Sequence, residues 1–528
     1  MKRRDFLGKT LPAGVLLPSL LSGFSLKAFG SSSLLAAITA ASEETDHVLV
    51  IIQLNGGNDG LNMVIPLEYY DNLALARQNI ILPQNKIIKL GNFNTGIHPK
   101  MTGLGDLYQD GKVQVIQSVG YPTPNFSHFR ATDIWETGSA SDQVLSTGWA
   151  GRYLGQEYPN FPVGYPNSVM PHPLAIQIGS FLSPAFQGPT LNMGMAISDP
   201  VNFYNLLNGI QSPAPNTNAG KELTYIRQVS QQTQQYASVI KDAANKVKVQ
   251  GTYPTGNSLA DQLKVVARLI GGGLKTRMYM VNIGSFDTHA NQVVGNATDT
   301  GTHATLLLKV SDAIKAFMDD LKAMGVSKRV AGMTFSEFGR RIKSNAGGGT
   351  DHGAAAPVIV FGDAVQGGVL GTNPIISAST SVNDNIPMQY DFRSVYATLL
   401  EKWFCVDRTT LDSVMLKNFQ SLPIIRTGTN CMSTKTTAVN QESGKNLITN
   451  YPNPFSSSTT IKYVSKGGHL LIQVFNTMGK LITTLVDEVK AEGNYSVTFE
   501  NRFYPPGVYY ARLQNGELQQ VRNMMIVR

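Results

Sequence analysis

Five short segments between residues 46 and 426 are apolar almost from end to end: HVLVIIQL, KVQVIQSVG, TRMYMVNIG, RVAGMTF and APVIVFG. A strand with one face in water alternates polar and apolar residues, and these do not, so each is expected to be covered on both faces, as in a parallel sheet flanked by helices. Between the third and fourth lies HATLLLKVSDAIKAFMDDLKAMG, in which Leu306, Val310, Ile314, Phe317 and Leu321 recur at helical spacing before Gly325. That is a crossover helix. The pattern restricts the main body to a layered α/β/α sandwich with a mostly parallel sheet.

At 528 residues the chain exceeds what one core usually supports, so more than one domain is expected. Residues 151–275 are less regular, with the Pro-rich NSVMPHPLAIQIG and the Gln-rich KELTYIRQVSQQTQQYASVIKDAANKV, and read as an insertion that caps or borders the site. The net charge of +8 is spread along the chain without a basic stripe interleaved with aromatics, which excludes a nucleic-acid partner.

The first residues read as an address. MKRRDFLGKT precedes LPAGVLLPSLLSGFSLKAFG, a positive start and an apolar run interrupted by Pro and Gly, so residues 1–41 are expected to be a signal peptide cleaved near Ala41. Arg3-Arg4 followed by Phe6-Leu7 resembles a twin-arginine export signal, which implies passage through the twin-arginine translocase. The run is too short and broken for a transmembrane anchor in the mature protein. Cys405 and Cys431 are the sole cysteines, and their pairing is left open.

After a polar linker, residues 427–447, residues 448–528 alternate strand-like runs with Gly, Asn and Pro turns, the pattern of a small β-sandwich. The blocks YPNPF, VFNTMGKLITTL and PPGVYYARL, in that order, resemble the C-terminal sorting domain of type IX secretion cargo. That resemblance implies the type IX machinery as an export partner and a destination at the cell surface or outside the cell.

Five polar clusters fall at loops next to the apolar strands of the main body, where open parallel sheets bind ligands. QLNGGNDGLN carries Asp59, either a turn residue or a ligand, and its glycines do not match a nucleotide-binding loop. PNFSHFRATDIWETG places Ser127 at a helix start, either as cap or as nucleophile, with His128 as the fallback. GSFDTHANQ sets Asp287 and His289 two apart, so both point to one face of an extended chain. TFSEFGRRI offers Glu337 to a metal and Arg340 or Arg341 to an anion, or else an internal ion pair. GGGTDHGAAAPVIVFG sets Asp351 beside His352.

Taken together, LNGGNDGLNMVIP, FSHFRATDIWETG, FDTHANQ, SEFGRRI, GTDHGAAAPVIVFG and DFRSVYATLLEKW resemble the twin-arginine-exported family of unknown function within the alkaline phosphatase and sulfatase-like superfamily. The resemblance covers most of residues 46–410 and implies an alkaline phosphatase-like core. It pairs Asp287, His289 and His352 as one metal set and Asp59, Ser127 and Glu337 as another, with Asp351 orienting His352 or joining it as a ligand. Phe338 stands where the second set would have a histidine, which leaves that set rich in oxygen. The implied cofactor is a divalent metal ion, with zinc, magnesium, calcium and manganese all open. The implied activity is hydrolysis of anionic phosphate or sulfate esters, with Ser127 attacking and Arg340 or Arg341 gripping the anion. The alternative is a non-catalytic surface protein that binds through a degenerate core.

Overall fold

The computed structural model describes residues 45–527 except 92–93, 160, 163, 190, 199–235, 429–447, 477–480, 502–503 and 516–517. Residues 1–41, expected to be an export signal, and most of residues 427–447 therefore lie outside the described residues. The chain divides into two compact units, one within Thr39–Met432 and one within Ser433–Arg528.

The larger unit is built on a sheet whose strands are β1 (Val48–Leu54), β2 (Val113–Gly120), β3 (Ala175–Ile178), β4 (Gly194–Ile197), β5 (Met278–Ile283), β6 (Val330–Phe335), β7 (Ala356–Gly362) and β8 (Gly368–Leu370). Their spatial order is β8-β2-β7-β6-β1-β5-β3-β4, with Tyr390–Asp391 added beside β2. β1 sits at the centre and pairs in parallel with both β5 and β6. Its residues alternate between two cores: Val48, Val50 and Ile52 face one, and Leu49 and Ile51 the other. Every residue of β1 is buried, which is why the segment carries no polar face. The first core is closed by helices α2 (Ser258–Gly271) and α3 (Thr302–Ala323), the second by α1 (His128–Thr137) and by helices 149–157, 392–398 and 408–415. α3 occupies the expected crossover, burying Leu306, Val310, Ile314, Phe317 and Leu321.

Two features depart from the sequence-based picture. The insertion at 151–275 is not wholly outside the sheet: β3 and β4 join its edge as parallel strands. Their four-residue length left them below the threshold of a periodic signal. The segment APVIVFG, expected to run parallel with the rest, runs antiparallel to both of its neighbours, β2 and β6. The chain between β6 and β7 forms a hairpin, Arg340–Ser344 against Thr350–His352, with no crossover helix. Without a crossover a strand can return beside its predecessor only in the opposite direction.

The smaller unit holds β9 (Ile448–Tyr451), β10 (Ser458–Asn476), β11 (Leu481–Glu500), β12 (Gly507–Asn515) and β13 (Leu518–Ile526). They form one antiparallel sheet around a core that includes Ile461, Ile472, Val474, Phe499 and Leu513. Phe455 bridges to Ile526, which brings the two ends of the sheet together. Among the described residues no helix is long and apolar enough to cross a membrane. Cys405 is disulfide-bonded, and Cys431 lies outside the described residues.

Candidate metal centre

The loops that follow β1, β5 and β6 converge because glycine lets backbone meet backbone. Gly56 and Gly57 adopt φ of 124° and 78° after β1. A Cβ on Gly56 would stand 2.5 Å from the Asp287 nitrogen, and one on Gly57 2.3 Å from the Phe338 ring. The glycines before Asp351 act likewise: a Cβ on Gly349 would lie 2.2 Å from the Thr288 carbonyl oxygen. GGGTDHG is therefore the means by which the Asp351-His352 strand reaches the Asp287-His289 loop.

Asp287 stands at the middle of the resulting cluster. Its Oδ1 lies 3.2 Å from His289 Nε2 and 3.4 Å from His352 Nε2, and its Oδ2 lies 3.4 Å from His128 Nε2. The two Nε2 atoms of His289 and His352 are 2.8 Å apart. Donors bound tetrahedrally to one ion at about 2.05 Å stand roughly 3.3 Å from each other; His128, Asp287 and His352 present ligand atoms within 4.8 Å of one another, and His289 adjoins them through Asp287 and His352.

The groups behind each imidazole decide which nitrogen carries the proton. His352 Nδ1 faces the Phe126 carbonyl oxygen at 2.8 Å, and a carbonyl can only accept. His128 Nδ1 faces Glu337 Oε1 at 2.8 Å, and that carboxylate also accepts from the Gly56 N–H and the Ser336 hydroxyl. His289 Nδ1 faces Asp351 Oδ1 at 3.3 Å. Each Nδ1 therefore has an acceptor behind the ring, and a ring that donates there leaves its Nε2, which faces Asp287, available to a cation.

Electrostatics keeps the set ready for a cation. Burial pushes the Asp287 carboxyl up, but the hydrogen bond and charge of Arg340, with His289 and His128, hold it below the usual carboxylate range. Burial lowers the His352 imidazole, opposed by its bond to Phe126 and reinforced by Arg340 and His128, which favours the neutral ligand form. The Asn345 amide holds the Asp351 carboxyl low against partial burial, with help from His289. Asp287 is 46% exposed, so the cluster opens to solvent.

Several candidates stand elsewhere or take other partners. Asp59 is completely buried, and both of its oxygens bind Arg77 Nη1, at 2.8 and 2.7 Å, while Gln292 Nε2 donates at 2.7 Å. Its charge is already met by a guanidinium, so it is corrected from metal ligand to half of a buried ion pair. Glu337 is a partner of His128 and of backbone rather than a ligand in the cluster. Asp351 orients His289, not His352. Arg340 is buried and spends its N–H groups on the carbonyls of Gly56, Gly57 and Thr350 and on Asp287 at 2.6 Å. Arg341 donates to the His352 and Val382 carbonyls and to Asn383. The expectation that Arg340 grips a substrate anion gives way to a structural role, while Arg341 stays half-buried at the surface. Ser127 precedes α1 with extended backbone, is exposed, and makes no side-chain cap hydrogen bond.

Residues 218–415 match the model of a protein family of unknown function, DUF1501, and residues 449–527 match the secretion system C-terminal sorting domain. The chain thus carries a DUF1501 region and a secretion sorting domain. No curated protein matches it. Similar solved structures include a sulfatase of Bacteroides thetaiotaomicron from a locus for glycosaminoglycan metabolism, 11% identical over 83% of this chain and 89% of that one, TM-score 0.32. A phosphonate monoester hydrolase of Agrobacterium radiobacter is 10% identical over 68% and 73%, TM-score 0.28. An alkaline phosphatase from the Antarctic bacterium TAB5 is 9% identical over 71% and 99%, TM-score 0.26. The sorting domain marks the chain for export to the cell surface or beyond.

Sequence reasoning gave His128 only as a fallback nucleophile, and the structure brings its Nε2 into the cluster with Asp287 and His352. The signal was present in the SHF triplet at a helix start, but nothing local shows that the ring turns toward a loop 159 positions away rather than toward solvent. Phe126, whose side chain suggests no polar role, contributes through its carbonyl. Phe338 packs its ring against His128 and His352, with centroids 4.9 and 4.4 Å apart, and so limits how far either imidazole can swing.

Proposed function

We propose that this chain is an exported, metal-assisted hydrolase of phosphate or sulfate esters, whose single divalent ion is held by His128, Asp287, His289 and His352. The observation that carries the reading is the set of three imidazole Nε2 atoms gathered at one carboxylate, each ring with an acceptor at its Nδ1. Three imidazoles with one carboxylate suit zinc better than magnesium, calcium or manganese, which prefer oxygen donors. When bound, such an ion supplies Lewis acidity and neutralises the charge of an anionic ester.

The chain's own residues do the rest. Ser127, exposed and free of capping duty, carries the reacting hydroxyl at the start of α1, where the helix N-terminus favours negative charge. Arg340 holds Asp287 in place. Glu337, Asp351 and the Phe126 carbonyl hold the three rings in the ligating tautomer. Delivery begins with the Arg3-Arg4 signal through the twin-arginine translocase and ends with the type IX machinery.

Metal analysis of the purified protein, joined to turnover of aryl phosphates and aryl sulfates, tests the reading. One bound ion per chain with hydrolysis lost in both Ser127→Ala and His352→Ala is the expected result. A specific observation favours a second reading, a metal-binding surface protein without catalysis: Arg340 is buried and its guanidinium is turned to backbone carbonyls and Asp287 rather than to an outside anion. A bound ion with no turnover of either ester class would select it.

A further inference from the structure

We propose that Gln292 is a positioning residue for the metal centre, holding the Asp287-His289 loop and the Asp351-His352 strand at ligating distance through one buried amide; this rests on the metal reading above. Gln292 is completely buried and touches none of the ligands itself. Its Nε2 donates to Asp59 Oδ2 at 2.7 Å. Its Oε1 accepts from the Thr288 hydroxyl at 3.0 Å and from the Thr350 hydroxyl at 3.3 Å. The orientation of the amide follows from chemistry, because Asp59, already holding Arg77, can only accept, so the NH2 end must face it and the oxygen must face the threonines.

The two threonines are the residues next to the ligands. Thr288 lies between Asp287 and His289, and Thr350 directly precedes Asp351-His352. Their backbones also meet, the Thr350 N–H donating to the Thr288 carbonyl at 3.2 Å, and the N–H groups of Asn291 and Gln292 donate to Gly347 and Gly348. Gln292 thus clamps both ligand-bearing segments to one point, and the buried Asp59–Arg77 pair anchors that point. This gives the ion pair a purpose that direct coordination does not. Groups behind metal ligands that fix their placement typically change metal affinity by about 10–100-fold when removed.

The test uses the full chain and measures dissociation constants for Zn²⁺ and Co²⁺ by chelator competition, the visible spectrum of the Co²⁺ form, and the unfolding midpoint of the metal-free form. Gln292→Met keeps the shape and removes the amide. A Thr288→Val/Thr350→Val double variant removes the two donors and leaves Gln292 and Asp59 untouched, so it decides the matter even if Gln292→Met does not fold. Both are expected to weaken binding by about 10–100-fold and to alter the Co²⁺ spectrum, while Thr288→Ser/Thr350→Ser returns both toward wild type. A role in packing alone would lower the metal-free midpoint and leave the spectrum and affinity of the folded protein unchanged, and that result overturns the proposal. Wild-type affinity in the Val/Val variant, alongside lost binding in His352→Ala, also overturns it and leaves the metal reading standing. Failure of the wild-type chain to take up either ion overturns both.

Discussion

His352 binds the Phe126 carbonyl through Nδ1 at 2.8 Å, and its Nε2 stands 2.8 Å from the Nε2 of His289. A carbonyl behind the ring can accept the Nδ1 proton, and the ring that donates there has its Nε2 free to ligate in front. The same arrangement recurs at His128 and His289 with carboxylates behind.

Metal removal is expected to cost stability as well as any activity. An ion that binds the folded chain alone stabilises it by about 2.7 kcal/mol at a hundredfold excess over its dissociation constant. Thermal unfolding with and without chelator should show that difference, and His128→Ala should erase it. An unchanged midpoint after chelation of a protein shown to hold metal would count against the site.

Gly349→Ala should pull the centre apart without touching a ligand. The added Cβ would meet the Thr288 carbonyl oxygen at 2.2 Å, with the His289 backbone just beyond, and neither atom belongs to a flexible side chain. Overpacking of this kind costs roughly 1–3 kcal/mol. Denaturant midpoints should fall accordingly, and metal affinity should fall with them, because the displaced backbone carries His289.

Breaking the buried pair should be far worse than replacing it. Arg77 and Asp59 are both fully buried, and burial alone would raise the Asp59 carboxyl, yet Arg77, His303 and Gln292 hold it low. Arg77→Ala leaves a buried carboxylate without its cation and is expected to destabilise by about 3–5 kcal/mol. Adding Asp59→Asn should recover part of that loss, as a double-mutant cycle in urea would show.

Glu136, on the buried side of α1, should make stability fall as pH rises through the neutral range. Burial raises its carboxyl from 4.5 to about 7, against the hydrogen bond it accepts from Ser183 at 2.7 Å. The folded chain therefore holds a proton that the unfolded chain has released between these values. Its contribution is complete below about pH 4.5 and is lost as pH passes about 7. Glu136→Gln keeps an acceptor for Ser183, so it should flatten the slope and leave the variant more stable at pH 8 by up to about 3 kcal/mol. Equal slopes in the two proteins would refute the assignment.

How much of this could be read from the residues in order depends on whether the deciding interaction is local. The five apolar segments announced a covered sheet because burial on both faces is written into consecutive residues, and β1 is buried throughout as that pattern requires. That Asp287, His289 and His352 come together was expected from the two histidines beside strand ends, each close to an aspartate in sequence, and the structure does bring these side chains together. The sorting domain was legible as a run of blocks. Direction and partnership were not. β7 turned antiparallel because a hairpin replaced a crossover, and an apolar strand looks the same in either direction.

Asp59 became half of an ion pair because Arg77, 18 positions on, folds back onto it, and Arg340 lost its role as anion grip because Asp287 and three carbonyls consume its donors. His128 entered the cluster because Glu337, 209 positions away, accepts from its Nδ1 and turns Nε2 inward. Composition and periodicity record what a residue is and which face it takes. Whether its donors and charge remain available is decided by which distant groups arrive first, and that depends on loop closure in three dimensions.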